Sequence, residues 1–109
     1  MAAAFDNGIA ANVGSSEATV YTAPSGGPHL LIGLIATNIY GAGLGITIKL
    51  IRGADTIYLA HNKRIETDNT NDILLGSKVS LEAGDVIKAS AAVDDAFSVI
   101  ATITEDILS

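Results

Sequence analysis

The sequence lacks cysteine and tryptophan, and it contains only two prolines, three tyrosines and two phenylalanines among 109 residues. Without cysteine the chain can form neither a disulfide framework nor a metal site with thiolate ligands. No apolar run approaches the roughly 20 residues that a membrane-spanning helix requires. The start of the chain, Met1–Asp6, lacks the basic and long apolar regions of a secretory signal, so we expect no signal peptide.

Charge is scarce as well, at 17% of residues, with six basic and twelve acidic side chains giving a net charge of −6. This acidic balance disfavours binding to a nucleic acid backbone. Hydrophobic residues make up 49% of the chain, which is enough for the core of one small domain. The low charge also indicates that part of the apolar surface contacts partners. We predict residues 1–13 as an N-terminal arm or edge strand and residues 14–109 as a single domain.

The most regular stretch of the chain is Lys78–Ala89. Val79 and Leu81 alternate with polar residues, which is typical of a half-buried strand. The tetrad Glu82–Asp85 then supplies a glycine and an aspartate, the residues that tight turns favour. Alternation resumes at Ile87, so this stretch predicts a strand, a turn and a returning strand.

Similar alternation recurs about every ten residues, and turn residues separate the segments. Further strands are predicted at Thr19–Thr22, Ile46–Ile51, Ile57–Ala60 and Phe97–Thr104, with a hairpin between the middle two. No stretch carries a sustained helical period. The pattern therefore predicts an all-β fold, an antiparallel β-sandwich of the jelly-roll or related Greek-key type with about eight short strands.

The segment Leu30–Ile35 is almost continuously apolar, which indicates a strand buried on both faces. One face of such a strand packs on the core of a sandwich, and the other needs a cover. A second copy of the chain is the natural cover, so we predict a homo-oligomer, most simply a trimer. The predicted interface residues are Leu30, Ile32 and Leu34.

Two segments are predicted to contact another protein. The alanine-rich arm, with Ala2, Phe5 and Ile9, is short enough to order as an added strand on an exposed sheet edge. The long polar segment from His61 to Asp72 is predicted as a loop. It begins with the only basic cluster, which suits contacts to an acidic surface. The contact residues of this cluster are His61, Lys63 and Arg64.

The sequence shows no catalytic constellation, and we predict no catalytic, cofactor-binding or metal-binding residues. Asp68, Thr70 and Asp72 have the alternate spacing of calcium ligands, but Ile73 stands where a calcium loop needs glycine. A solvated loop is favoured over an irregular calcium site. The glycine-rich segment Gly41–Gly45 lacks the lysine and the following helix of a phosphate loop.

Two segments resemble small structural proteins of tailed-bacteriophage virions. The first is Val20–Gly26, read VYTAPSG, followed by the apolar Ile32–Leu34; the second is Leu81–Lys88, read LEAGDVIK. In the phage proteins a similar strand and turn leads into an apolar strand, and a similar glycine–aspartate turn occurs late in the chain. The segment Lys63–Asp72 departs from the phage pattern, where a shorter turn is usual. A looser similarity links the second segment to trimeric jelly rolls of the tumour-necrosis-factor and complement type.

The resemblance implies a non-enzymatic virion protein that decorates or cements the outside of the capsid by bridging neighbouring capsid subunits. Its expected partners are the major capsid protein and further copies of itself, with no nucleic acid and no membrane. Its expected location is the capsid surface, after synthesis in the host cytoplasm. The alternative is a tail, neck or fibre-associated module that binds an adaptor protein or a host glycan. A jelly-roll enzyme would need a set of metal-binding residues that the sequence lacks.

Overall fold

A computed structural model describes residues 4–25 and 29–105 of the chain. These residues form nine β-strands. The strands are β1 (Ala4–Val13), β2 (Ala18–Thr22), β3 (His29–Asn38), β4 (Leu44–Arg52), β5 (Asp55–Ile65), β6 (Thr70–Asp72), β7 (Val79–Leu81), β8 (Val86–Ala91) and β9 (Phe97–Glu105).

The strands form two antiparallel sheets. Sheet A has the order β1-β9-β3-β6, and β7 pairs with a different part of β3. Sheet B has the order β2-β8-β4-β5. Most consecutive strands lie in different sheets, so the chain crosses repeatedly between the two layers. The predicted all-β antiparallel sandwich is confirmed, with nine strands rather than about eight.

The core lies between the sheets and consists of aliphatic side chains, one phenylalanine and Tyr21. Branched residues pack well on a pleated surface, and alternation along each strand points every second one inward. The largest apolar side chains with almost no exposed surface are Val13, Leu31, Leu34, Ile46, Ile48, Ile65, Ile87, Phe97, Val99 and Ile103.

Strands β7 and β8 do not form the hairpin that the sequence suggested. Strand β7 pairs with β3 in sheet A, whereas β8 pairs with β2 and β4 in sheet B. The turn Glu82–Asp85 therefore links the two sheets. The backbone of this turn forms two hydrogen bonds with Ala23, the residue after β2. Gly84 N–H donates to Ala23 O at 2.9 Å, and Ala23 N–H donates to Asp85 O at 2.8 Å. Alternation reveals two strands and a turn, but not which strands they pair with.

The predicted loop from His61 to Asp72 is wrong at both ends, because β5 continues to Ile65 and β6 spans Thr70–Asp72. Strand β5 lies at the edge of sheet B, where polar side chains remain in contact with solvent. A β-bulge interrupts its pairing with β4, and Asn62 within the bulge has a φ of 51°. The bulge disrupts the alternation that would have marked a strand.

Strand β1 is part of the sandwich, not a free arm. It pairs with β9 from Ala4 to Val13, and Ala10 and Val13 belong to the buried core. At Gly8 it also lies so close to sheet B that a Cβ atom would stand 2.3 Å from Val20 O. Attachment through ordering of a free arm therefore does not apply to residues 4–13, whereas Ala2 lies outside the described residues.

A β-bulge in β3 changes which of its side chains face outward, so the predicted interface residues need correction. The pairing of β3 with β9 shifts register between Leu31 and Gly33, and a one-residue shift exchanges the two faces of a strand. Leu30 and Ile32 are therefore half-buried on the outer side, while Leu34 points inward and has no exposed surface. Leu34 packs in the core of its own chain and is wrong as an interface residue; Ile35 takes the outward position.

Candidate interaction surface

Three isoleucines form a row across the outer face of sheet A. Ile100 on β9 lies directly opposite Ile9 on β1 and opposite Ile35 on β3. Residues directly opposite each other in neighbouring antiparallel strands project from the same face and touch. The exposed fractions of Ile9, Ile35 and Ile100 are 64%, 41% and 37%. We call Ile9, Ile35 and Ile100 the isoleucine row.

The isoleucine row borders a shallow groove of about 220 Å³. Ser98 stabilises one end of it, because its hydroxyl donates to Ala11 O at 3.0 Å where β1 bulges. The residues that flank the row along β1, β9 and β3 on this face are uncharged: Asn7, Ala11, Thr37, Ser98 and Thr102. The nearest acid in register is Asp72 on β6, opposite Ile35. This part of the surface is therefore apolar and uncharged along β1, β9 and β3, and the carboxylate of Asp72 borders it at β6.

Ile9 belongs to the isoleucine row, so one of the predicted contact residues lies in the candidate surface. Leu30 and Ile32 are half-buried on the same side of β3, further along the strand. The side chain of Phe5 and the whole of Ala2 lie outside the described residues. Ile35 and Ile100 were not predicted, although Ile100 gave a signal, since it is apolar at a position where its strand otherwise alternates to polar residues.

The predicted basic residues lie on the other sheet. His61, Lys63 and Arg64 are exposed on edge strand β5. Arg64 forms an ion pair with Glu66, in which Arg64 Nε donates to Glu66 Oε2 at 2.7 Å. The structure therefore does not bring these residues together with the isoleucine row. Charged side chains and a bulge on an edge strand also prevent unwanted pairing with another sheet.

A small polar cluster occupies the outer face of sheet B. Lys49 on β4 donates a hydrogen bond to Glu17, which lowers the pKa of Glu17 and raises the pKa of Lys49. The ammonium group also lies 5.9 Å from the ring centroid of Tyr58, within the range of a cation–π contact. Tyr58 in turn packs edge-on against His61, with 4.7 Å between ring centroids. The side chains of this cluster therefore contact one another.

One end of the sandwich is fixed by a buried asparagine. Asn38 Nδ2 donates to Ala42 O at 2.9 Å and to Ile65 O at 2.8 Å, and Asn38 Oδ1 accepts from the Tyr40 amide at 2.8 Å. Such a fully bonded buried amide stabilises the loop that it spans. Ile39 and Tyr40 are held there with 47% and 40% of their surface exposed.

Within residues 4–25 and 29–105, no group of three or more histidine, aspartate or glutamate side chains is placed to hold a metal ion. Of the residues with the spacing of calcium ligands, Asp72 accepts from the amides of Leu74 and Leu75, and Thr70 shares a 2.9 Å hydroxyl hydrogen bond with Thr37. Asp94 accepts from Ser15 at 2.8 Å, which lowers the pKa of Asp94. The described residues also contain no helix able to span a membrane.

The comparisons with known proteins identify the fold but no family. No family model matches the sequence, and no curated protein does. The structure is similar to a protein described under "Bacillus endospore appendages form a novel family of disulfide-linked pili", with a TM-score of 0.59 and 13% identity over 98% of this chain and 89% of that one. It is also similar to a pentameric capsid protein from metagenomic phage sequences, with a TM-score of 0.51 and 17% identity over 93% of this chain and 64% of that one. At these identities the similarity establishes the fold alone.

Proposed function

We propose that this protein is a non-enzymatic structural subunit of a bacteriophage virion, located on the capsid surface, where it decorates or cements the shell by bridging neighbouring capsid subunits. The observation that carries the proposal is the isoleucine row. An apolar patch on the face of a central strand and its two neighbours is costly to leave in water and marks a protein contact. Buried apolar surface contributes about 25 cal/mol per Å², so even a modest contact repeated over a shell strengthens it.

The structural neighbours support an assembly role at the coarser level. One is described as a pilus protein and the other as a pentameric capsid protein, so both belong to multi-copy structures. The disulfide links named for the pilus family are unavailable to this chain, because it has no cysteine. Cohesion between copies would therefore rest on non-covalent burial. The VYTAPSG and LEAGDVIK segments favour the virion over a pilus.

We propose two kinds of partner, the major capsid protein and other copies of this chain. The isoleucine row serves the contact between copies, with Leu30 and Ile32 as its extension along β3. Lys63 and His61 lie on β5 in the other sheet, where they contact an acidic rim on the capsid. Measuring the mass of the oligomer tests the trimer predicted from the sequence and distinguishes it from other rings, such as a pentamer.

Copy number in purified particles tests the proposal. Quantitative mass spectrometry of virions that contain this protein is expected to give copies comparable to the major capsid protein. A few copies per particle would instead identify the tail, neck or fibre module that is the alternative. Absence from purified virions would overturn both.

A further inference from the structure

The two sheets differ in the charges that their strands carry. Five of the six basic residues lie in strands, and all five belong to sheet B: Lys49, Arg52, Lys63, Arg64 and Lys88. The strands of sheet B contain a single acidic residue, Asp55. The charged residues in the strands of sheet A are all acidic: Asp6, Asp72 and Glu105. A chain with a net charge of −6 thus gathers its basic side chains in one layer.

A row of directly opposed residues crosses the outer face of sheet B. Lys88 on β8 lies opposite Thr19 on β2 and opposite Lys49 on β4, and Lys49 lies opposite Tyr58 on β5. Both lysines stand between buried neighbours in their strands, so their side chains point outward. Two ammonium groups directly opposite each other repel, so this pair is unfavourable without an anion. We call Thr19, Lys88, Lys49 and Tyr58 the lysine row.

One carboxylate of the same chain reaches the lysine row. The hydrogen bond from Lys49, followed by the charges of Lys49 and Lys88, lowers the pKa of Glu17. Within residues 4–25 and 29–105, Lys88 itself forms no salt bridge. Two ammonium groups and one carboxylate leave one positive charge in excess, so this face can bind a further carboxylate.

The outer face of sheet A supplies a carboxylate beside an apolar surface. The isoleucine row continues in register to Asp72 on β6, which lies opposite Ile35. Asp72 is exposed, and its Oδ1 accepts from the amides of Leu74 and Leu75 at 3.1 and 3.2 Å, which holds the carboxylate at the border of the row. Because the two sheets are the two layers of the sandwich, their outer faces lie on opposite sides of the molecule.

The outer face of sheet B also offers apolar surface beside its lysines. Ile51 and Val86 lie directly opposite each other, two residues along their strands from Lys49 and Lys88, and both are half-buried. Lysine stems are apolar as well, so this face can pack on isoleucines while its ammonium groups reach a carboxylate. The molecule is 46 Å long and 28 Å wide. A sheet face of that size can supply the roughly 800 Å² that a stable interface buries on each partner.

Charge complementarity indicates how two copies face each other. Contact between two sheet A faces would bring two acidic surfaces together, and contact between two sheet B faces would bring two basic surfaces together. Sheet A against sheet B joins opposite charges instead. Since these faces lie on opposite sides of one molecule, they meet only between copies.

We infer that the isoleucine row of one copy packs on the outer face of sheet B of the next copy, with Asp72 of the first beside Lys88 of the second. The inference rests on the proposed structural role and names the second surface of the contact between copies. Because the two surfaces differ, the contact repeats from copy to copy. A closed rotation gives a ring, and an open one gives a stack that continues as a filament.

Two variants, one on each face, test this contact in sedimentation-velocity experiments on the purified protein. Lys88→Glu reverses a charge on sheet B, whereas Ile9→Asn removes an apolar side chain from sheet A without adding charge. Each variant alone is expected to associate roughly tenfold or more weakly than the parent. Lys63→Glu is the matched control, because Lys63 lies opposite the buried Ile46 and so does not belong to the outer face. This control should associate like the parent.

A double-mutant cycle tests the pairing of Asp72 with Lys88. Asp72→Asn keeps an oxygen that can accept from the amides of its loop, so it removes the charge and retains the turn. If the two side chains pair, Asp72→Asn combined with Lys88→Gln should associate about as weakly as either single variant. Additive losses would overturn the pairing.

Mixing Lys88→Glu with Ile9→Asn provides the decisive result. The intact isoleucine row of the first chain can bind the intact sheet B face of the second, so the mixture should form a one-to-one heterodimer that grows no further. Circular dichroism first confirms that each variant is folded, and Asp72→Asn replaces Ile9→Asn if that variant is not. A monomeric parent, undiminished association of Lys88→Glu, or a mixture of folded variants without heterodimer would each overturn the inference. None of these results depends on virions, so copy number in particles tests the proposed function separately.

Discussion

Arg52 on β4 forms an ion pair with the buried carboxylate of Asp85, which lies in the connection between the two sheets. Arg52 Nε lies 3.0 and 3.1 Å from the two carboxylate oxygens, and Arg52 Nη2 lies 2.7 Å from Oδ2. The amide of Glu82 donates to the same carboxylate at 2.8 Å, and Arg52 Nη2 also donates to Ser80 O. Only 2% of the Asp85 side chain is exposed. One ion pair thus fixes the crossing of the chain from β7 to β8.

We expect Arg52→Ala to lower the free energy of unfolding by about 2 kcal/mol, because it leaves a buried carboxylate without its charged donor. Urea denaturation measures this change. The matched control is Arg64→Ala, which breaks an ion pair whose two side chains are 66% and 60% exposed. Exposed pairs contribute little, so the control should change stability by less than about 0.5 kcal/mol. Equal effects of the two substitutions would contradict the assigned role of Arg52.

Asp85 also predicts how stability depends on pH. The hydrogen bonds from Arg52 hold the pKa of Asp85 below its ordinary value, although burial opposes them. The folded protein therefore binds this proton more weakly than the unfolded chain does. The resulting stabilisation is fully present above the unfolded pKa, near about pH 4, and is lost as pH falls through the folded pKa.

Thermal unfolding midpoints measured between about pH 2 and pH 7 test this dependence. Asp85→Asn should lower the midpoint at neutral pH and make its decline below about pH 4 shallower than in the parent. Glu17 and Asp94, whose pKa values are also lowered, contribute to the decline that remains. Parallel profiles of variant and parent would show that Asp85 does not contribute to the acid sensitivity.

The alternation of apolar residues was enough to predict the strands and the sandwich, because it follows from the two faces of each strand. It could not predict where a bulge reverses those faces, since a bulge depends on the neighbouring strand. Leu34 was therefore assigned to the outside, and β5 beyond His61 was taken for a loop. Ile100 carried a readable signal, whereas the exposure of Leu75 depends on the fold around its loop.

Gly8 tests whether β1 is integral to the domain. A Cβ atom there would lie 2.3 Å from Val20 O and 2.7 Å from Tyr21 Cβ, so Gly8→Ala forces β1 away from β2. We expect a loss of about 1–3 kcal/mol in the free energy of unfolding, the usual cost of overpacking. Gly41→Ala is the control, because no atom lies within 4 Å of its added Cβ. A Gly8→Ala variant as stable as that control would indicate that β1 detaches readily.

We expect Leu75 to lower the free energy of unfolding of the isolated subunit. Replacing it by glycine or by alanine removes the same exposed side chain, but only glycine adopts a φ of 52° without strain. Leu75→Gly should therefore unfold with a free energy about 1 kcal/mol higher than Leu75→Ala when both are measured as monomers in urea. Greater stability of Leu75→Ala than of Leu75→Gly would show that the backbone at this position is not strained.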